Sequence, residues 1–344
     1  MSVSIMILRG IPVRLSCTAS DTNFRVRCSS KLVSLAVLGS VNWDINLFID
    51  RFAEVGAEVS VKQILEVPGG KGGNVAVAAA RILGPKQAAV IGGLGRDELA
   101  QVQIKILKQE GVETSGLKRM SEVISGRAYI VIDRNGGKMI HTLFKANLRL
   151  NPDDIEEPHI SRLIKQAQII VIIDPKKETI IRASEMSKSL GKTVIFSPAT
   201  RCSEGLKELG EAIRNSDYIV VNLFELKCLT GKEEIVDAKN ALLEINPDVK
   251  IIATLGKKGA VIMNKHGQSE IQGVDPSRFG LKVVNTTGCG DAFLGVFCAS
   301  KIQGYSDEES VRRGNLAGAV KATRQETRGS PTAEELENFL KMLH

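Results

Sequence analysis

Aromatic side chains and histidine are scarce in this chain: of 344 residues, 4% are Phe, Trp or Tyr, and there are four histidines. His141, His159, His266 and His344 are scattered, which leaves no H-E-x-x-H metal helix and no obvious catalytic triad. The six cysteines, Cys17, Cys28, Cys202, Cys228, Cys289 and Cys298, include no C-x-x-C pair and none near a histidine at zinc spacing. Reduced thiols in a cytoplasmic protein are the simplest reading. No run of 18 apolar residues occurs, so no transmembrane helix and no membrane partner is expected. The P-loop string G-x-x-x-x-G-K-[ST] is missing, and so is a G-x-G-x-x-G after the first strand, which sets aside P-loop kinases and Rossmann dehydrogenases.

What is present suits a folded globular chain. Apolar residues make up 43% and charged residues 25%, with 32 glycines for tight turns. The length suits one large α/β unit with an appendage. The net charge of +7 is partly local: residues 1–31 hold Arg9, Arg14, Arg25, Arg27 and Lys31 against Asp21, and removing these leaves 41 basic and 38 acidic residues, or +3. With no basic run interleaved with aromatics, nucleic-acid binding is not expected. Residues 1–31, rich in Ser, Thr and Arg, read as an extension ahead of the domain. An organellar transit peptide would share that composition.

Apolar runs and helical periods alternate from Leu32 onward. LVSLAVL (32–38) reads as a buried strand, followed by a polar cluster in which Asn42, Asp44 and Asn46 alternate with Trp43, Ile45 and Leu47, placing the three polar side chains on one face if extended. Residues 48–67 read as exposed β-structure. Helices are predicted over 74–83, 97–109, 180–189, 206–215, 236–246, 291–302, 307–323 and 333–343, with strands AAVIGGLG, QIIVIID, TVIFSPA, YIVVNL, VKIIATLG and GAVIM among them. This βα alternation predicts a mainly parallel sheet covered by helices on both faces, with sites along the edge formed by the C-terminal ends of the strands. Residues 127–150 read as a hairpin turning at Arg134-Asn135-Gly136-Gly137. The two β-rich segments, about 46–67 and 122–147, are expected to form a small lid sheet that keeps water from the site.

Two glycine-dense turns lead into helices. In Asn285-Thr286-Thr287-Gly288-Cys289-Gly290-Asp291, small residues let backbone N–H groups converge on an anion at a helix start, and Asp291 in the first turn could take a proton from an incoming hydroxyl. The plainer reading is a capped helix with a dipole-paired Asp. In Gly69-Gly70-Lys71-Gly72-Gly73-Asn74, glycines permit close backbone approach while Lys71 and Asn74 offer a charge and an amide; a flexible loop with an incidental lysine is the plainer alternative.

GSVNWD, GGKGGNVAVAAARILG and NTTGCGDAF together resemble the paired signatures of the ribokinase-like, or PfkB, carbohydrate kinases, and the resemblance runs from about residue 32 to the C-terminus. It implies a ribokinase-like α/β fold with a β-sheet lid, ATP as phosphate donor, Mg²⁺, and a homodimer joined through the lid. It also implies site residues. Asn42, Asp44, Gly70, Lys71, Asn74 and Asp174 would hold the sugar; Gly288, Cys289 and Gly290 would form the anion hole beside the base Asp291. Asn222 and Glu225, an Asn-x-x-Glu, would serve Mg²⁺ and phosphate mostly through water. Thr254, Gly256, Gly259 and Asn315 would line the nucleotide site. For Asp174, Asn222, Glu225 and Asn315, ordinary strand-end, cap and helix-surface roles compete.

Three positions depart from the family pattern. Asn285 replaces an Asp that helps hold an activating monovalent cation, which puts potassium activation in doubt; Cys289 replaces alanine and would bring sensitivity to oxidation; Ser197 stands where Asn is frequent. The implied reaction is phosphorylation of a pentose, with ribose to ribose 5-phosphate first. A nucleoside or a sugar phosphate is the alternative acceptor, the latter through Arg127, Lys138 and Lys145 of the lid, which otherwise form a solvated face. A catalytically silent sugar sensor on the same fold would have no need of Asp291 or the Asn222–Glu225 pair.

Overall fold

The computed structural model describes residues 33–343; the expectation about the N-terminal extension falls outside them. Thirteen strands occur among the described residues: β1 (Leu35–Leu38), β2 (Asn42–Ile49), β3 (Val61–Gly69), β4 (Ala88–Gly95), β5 (Glu113–Met120), β6 (Gly126–Ile132), β7 (Lys138–Leu143), β8 (Ile169–Ile173), β9 (Thr193–Ser197), β10 (Tyr218–Asn222), β11 (Lys250–Thr254), β12 (Gly259–Asn264) and β13 (Gly267–Gln272). Nine of them build one sheet in the order β13-β12-β11-β10-β9-β8-β1-β4-β5. Pairing is parallel from β5 through β11, while β12 and β13 join antiparallel at the far edge, so GAVIM runs against the rest.

The central strands are continuous apolar runs because both of their faces are covered. Alternation divides them between two cores: Ala36, Leu38, Ile170 and Ile172 point to one, Leu35, Val37, Ile169 and Val171 to the other. Helices Pro158–Gln166, Lys177–Ser189, Gly205–Arg214, Leu223–Thr230 and Ile235–Ile245 cover the first face. Helices Lys71–Leu83, Glu98–Gln109, Cys289–Ile302 and Asp307–Ala322 cover the second, and Ala333–Lys341 packs behind them. None of the described helices is long and apolar enough to cross a membrane.

The remaining strands form the expected small sheet, in the order β3-β2-β6-β7. It differs from expectation in detail: residues 50–60 carry no regular element, so the exposed β-structure read over 48–67 is two antiparallel strands with an irregular connection. β2 continues almost directly from β1, which brings the small sheet onto the C-terminal edge of the large one. Asn42, Asp44 and Asn46 do share the buried face of β2, at 6%, 4% and 2% exposure, while Trp43, Ile45 and Leu47 are half-buried on the other.

Candidate active site

The two glycine-dense turns meet because their helices pack directly on each other. A β-carbon at Gly295 would stand 2.5 Å from Ala78 Cβ and 2.6 Å from the Val75 carbonyl, so the contact between helices 71–83 and 289–302 is backbone-close. Helix 71–83 begins at Lys71, earlier than the period indicated, because Gly70 at φ 88° turns the chain into it. A side chain at Gly70 would also strike the Asn42 N–H, at 2.4 Å. The outcome is that Asn74 Nδ2 donates a 2.7 Å hydrogen bond to Asp291 Oδ2, joining residues 217 positions apart.

The buried polar face of β2 lies beside this pair. Asn42 Oδ1 accepts from Asn147 Nδ2 at 2.8 Å, and Asp44 Oδ2 accepts from the Thr327 hydroxyl at 3.2 Å. Arg328, 5% exposed, donates to Asn74 Oδ1 (3.2 Å), the Gly69 carbonyl (2.8 Å) and Gln103 Oε1 (3.2 Å), and Gln103 donates to the Asn42 carbonyl. This network fixes Asn42 and Asn74 from behind. Asn46 Oδ1 is buried with no partner. An unpaired acceptor on that face fits a site that receives hydroxyl donors.

Charge is concentrated here. Burial pushes the Asp44 carboxyl up to about 6, and the Asp291 charge adds to this, against the Thr327 hydrogen bond and the charges of Arg328 and Lys71. Burial alone would lower Lys71, yet Asp291, Asp174, Glu225 and Asp44 together outweigh it and hold the ammonium above its ordinary value. Burial likewise raises Asp174, which has φ 69° just past β8 and accepts hydrogen bonds from Ser40 (3.0 Å) and Thr200 (3.3 Å). Asp174 is therefore part of the Lys71 charge cluster but makes no hydrogen bond to Asn42 or Asp44.

On the other side of Asp291 the chain enters helix 289–302 from Gly288 at φ 84°, where a β-carbon would lie 2.4 Å from the Thr327 carbonyl. The Ala292 N–H returns to the Gly288 carbonyl at 2.9 Å, whereas the N–H groups of Gly290 and Asp291 have no backbone acceptor, and that of Cys289 has only a 3.4 Å contact to Thr286. Nothing stands within 4 Å of the position a Gly290 side chain would take. These donors open on a cavity of about 190 Å³ lined by Lys71, Ser197, Asn222, Glu225, Thr254 and Asp291. Sharing Thr254, Gly290 and Phe293 with it is a more apolar cavity of about 310 Å³, with Gly256, Gly259, Val283, Asn315 and Ala319 in its wall. The two are of a size and polarity for phosphates and a base, respectively.

Several competing readings prove compatible. Asn222 and Glu225 do form a capping box, through Asn222 N–H to Glu225 Oε2 (3.0 Å) and Glu225 N–H to Asn222 Oδ1 (2.8 Å), and both also line the smaller cavity. Asn315 braces the end of β13 through the Ile271 and Gln272 carbonyls while lining the larger one. Lys138 of β7 is not on a merely solvated face: its ammonium donates to Thr286 Oγ1 at 2.7 Å and Thr287 Oγ1 at 3.2 Å. Cys289 is half-buried in the wall of the larger cavity, and burial raises its thiol, which weighs against the thiolate that the expected sensitivity to oxidation would need.

The profile of the pfkB family carbohydrate kinases matches residues 33–334. The chain belongs to that family. This pfkB-family kinase is 28% identical to the ATP-dependent ribose-1-phosphate kinase of Halopiger xanaduensis over 90% of its own length and 98% of the relative's. It is 29% identical to the deoxyribokinase of Salmonella typhi, over 90% and 99%. The crystal structure of a ribokinase from Thermotoga maritima superposes with a TM-score of 0.77 at 29% identity, covering 90% of this kinase and 99% of that chain. Arg328, Thr327, Asn147 and Gln103, the residues that hold the site from behind, escaped the sequence reading. Gln103 and Asn147 lie outside any glycine-rich turn, Thr327 and Arg328 are followed by the single Gly329, and the contacts of all four exist only once distant segments meet.

Proposed function

We propose that this kinase transfers the terminal phosphate of ATP to a hydroxyl of a pentose, with ribose to ribose 5-phosphate as the leading reaction. The observation that carries it is the 2.7 Å Asn74–Asp291 hydrogen bond, which sets a carboxylate between the polar face of β2 and the free N–H groups at Gly290 and Asp291. Asn42, Asp44, Asn74, Lys71 and the Gly70 backbone would take the sugar hydroxyls, with Asp174 holding Lys71. Asp291 would remove the proton of the attacking hydroxyl as the N–H groups of the 288–290 turn receive the growing charge on the phosphoryl group. Thr254, Gly256, Gly259 and Asn315 would border the nucleotide.

Mg²⁺ fits the donor set: Glu225 and Asn222 face the phosphate cavity, and the Glu225 oxygen not used in the capping box has no protein donor. The ion would neutralise phosphate charge and be held largely through water by these two residues. Asp291→Asn should lower kcat by about 10³-fold while the sugar dissociation constant changes little. Single-turnover kinetics with isothermal titration would check this, and undiminished turnover would reject the base assignment.

One observation favours a second acceptor class. Lys138 lies over the turn before the anion hole and the Halopiger relative is named for ribose 1-phosphate, so a sugar phosphate is the alternative. A coupled assay of pentoses, nucleosides and sugar phosphates, each with ATP and with ADP, separates these readings. Equal lack of turnover with all of them would favour a sugar sensor.

A further inference from the structure

Lys321 ends the helix Asp307–Ala322 with no solvent exposure and, among the described residues, no carboxylate within ion-pair distance. A buried ammonium without a salt bridge is costly unless its donors are otherwise satisfied. Here the acceptors are backbone carbonyls on two separate turns: Asn285 O at 2.8 Å and Arg324 O at 3.2 Å. The same turns are stitched on either side of it, by the Val284 and Asn285 N–H groups to the Ala322 carbonyl at 2.8 and 3.0 Å and by Asn285 Nδ2 to the Gln325 carbonyl at 2.8 Å. Asn285 Oδ1 then accepts from the Thr287 N–H at 2.9 Å, one residue before Gly288. The carbonyls of 285 and 324 thus converge on one fixed positive charge directly behind the anion-hole turn.

We propose that the Lys321 ammonium is a built-in monovalent cation: it occupies a carbonyl-lined seat, holds the 285–287 turn in place for phosphoryl transfer, and makes turnover independent of potassium. Carbonyl oxygens that surround a buried charge replace a hydration shell, and an alkylammonium head group is close in size and charge to NH₄⁺ and K⁺. Burial pulls the ammonium down to about 8, Lys138 adding to this against Cys289, Glu326 and Asp291, so its value stays above neutral. Lys321 touches neither proposed substrate cavity, so its role is positioning.

The proposal rests on the kinase reading, and its test can fail separately. Wild-type turnover in choline chloride and in KCl should agree within about twofold. Lys321→Ala should lose about ten- to hundredfold in kcat in choline chloride and recover at least about tenfold in NH₄Cl or KCl, but not in LiCl, whose ion is too small for the seat. Lys321→Met, which fills the same space without charge, should lose activity and recover with no salt. A reading without substrate comes from thermal unfolding: NH₄Cl should raise the Lys321→Ala midpoint relative to choline chloride and leave the Lys321→Met and wild-type midpoints alone. That measurement also serves if Lys321→Ala unfolds without the cation. Potassium-dependent wild-type turnover, a fully active Lys321→Met, or a Lys321→Ala that answers to NH₄⁺ in neither assay would overturn the proposal.

Discussion

Asp44 carries a cost in the ligand-free protein. Its carboxyl is 4% exposed, has one hydroxyl donor, and is pushed from 3.8 to about 6 by burial. A carboxyl whose pKa is higher folded than unfolded is most favourable below the unfolded value and loses that advantage as pH rises through the folded one. The penalty is therefore fully present at neutral pH, where the buried group is ionised. A shift of that size corresponds to about 3 kcal/mol at most. Asp44→Asn should accordingly raise the unfolding midpoint of the sugar-free enzyme at pH 7, with the gain shrinking toward about pH 4, while sugar affinity falls by about tenfold or more. Thermal melts across pH with sugar titration would show both; a variant less stable at pH 7 would mean that the carboxylate is structural. At this scale the sequence was informative where chemistry and glycine coincide, as at Lys71, Asn74 and Asp291. It was silent at Arg328 and Lys321, because an Arg after a loop Thr and a Lys in the last turn of a helix look like solvated side chains until the fold buries them.

Between elements, the decisive contact is the crossing of helices 71–83 and 289–302. The two signatures of the sequence are far apart in the chain, and their chemistry becomes one site only because Gly295 lets the helices touch. Gly295→Ala should force them apart, costing about 1–3 kcal/mol of stability and lengthening the Asn74–Asp291 contact. The expected outcome is a lower unfolding midpoint together with a fall in kcat of about tenfold at temperatures where the variant remains folded. Normal kcat in a folded, destabilised variant would show that the crossing matters for stability alone. The central strands could be read as apolar runs for the same reason that these helices could be read: packing on both sides demands an uninterrupted pattern. β5, ETSGLKRM, and β13, GQSEIQ, could not, since each lies at an edge of the sheet and keeps polar residues toward water.

For the whole molecule, the lid sheet leaves a continuous row of apolar side chains uncovered at its ends. Pairing registers align Ile64, Leu47, Val131 and Met139 in one row across β3, β2, β6 and β7, on the face opposite Asn42, Asp44 and Asn46. The end members are 59% and 49% exposed. Both β3 and β7 are also edge strands with one ladder unpaired. A small sheet covered on only one face has little to hold it rigid, whereas a second copy packed on this row would cover the apolar strip and fix the lid above the sugar face. The homodimer through the lid is thus an expectation with a physical motive. Light scattering at assay concentration should give twice the chain mass, and Ile64→Lys combined with Met139→Lys should give the monomer mass with a higher KM for the sugar. If the wild type is strictly monomeric and still saturates with sugar, the lid closes on its own and the exposed row must have another purpose.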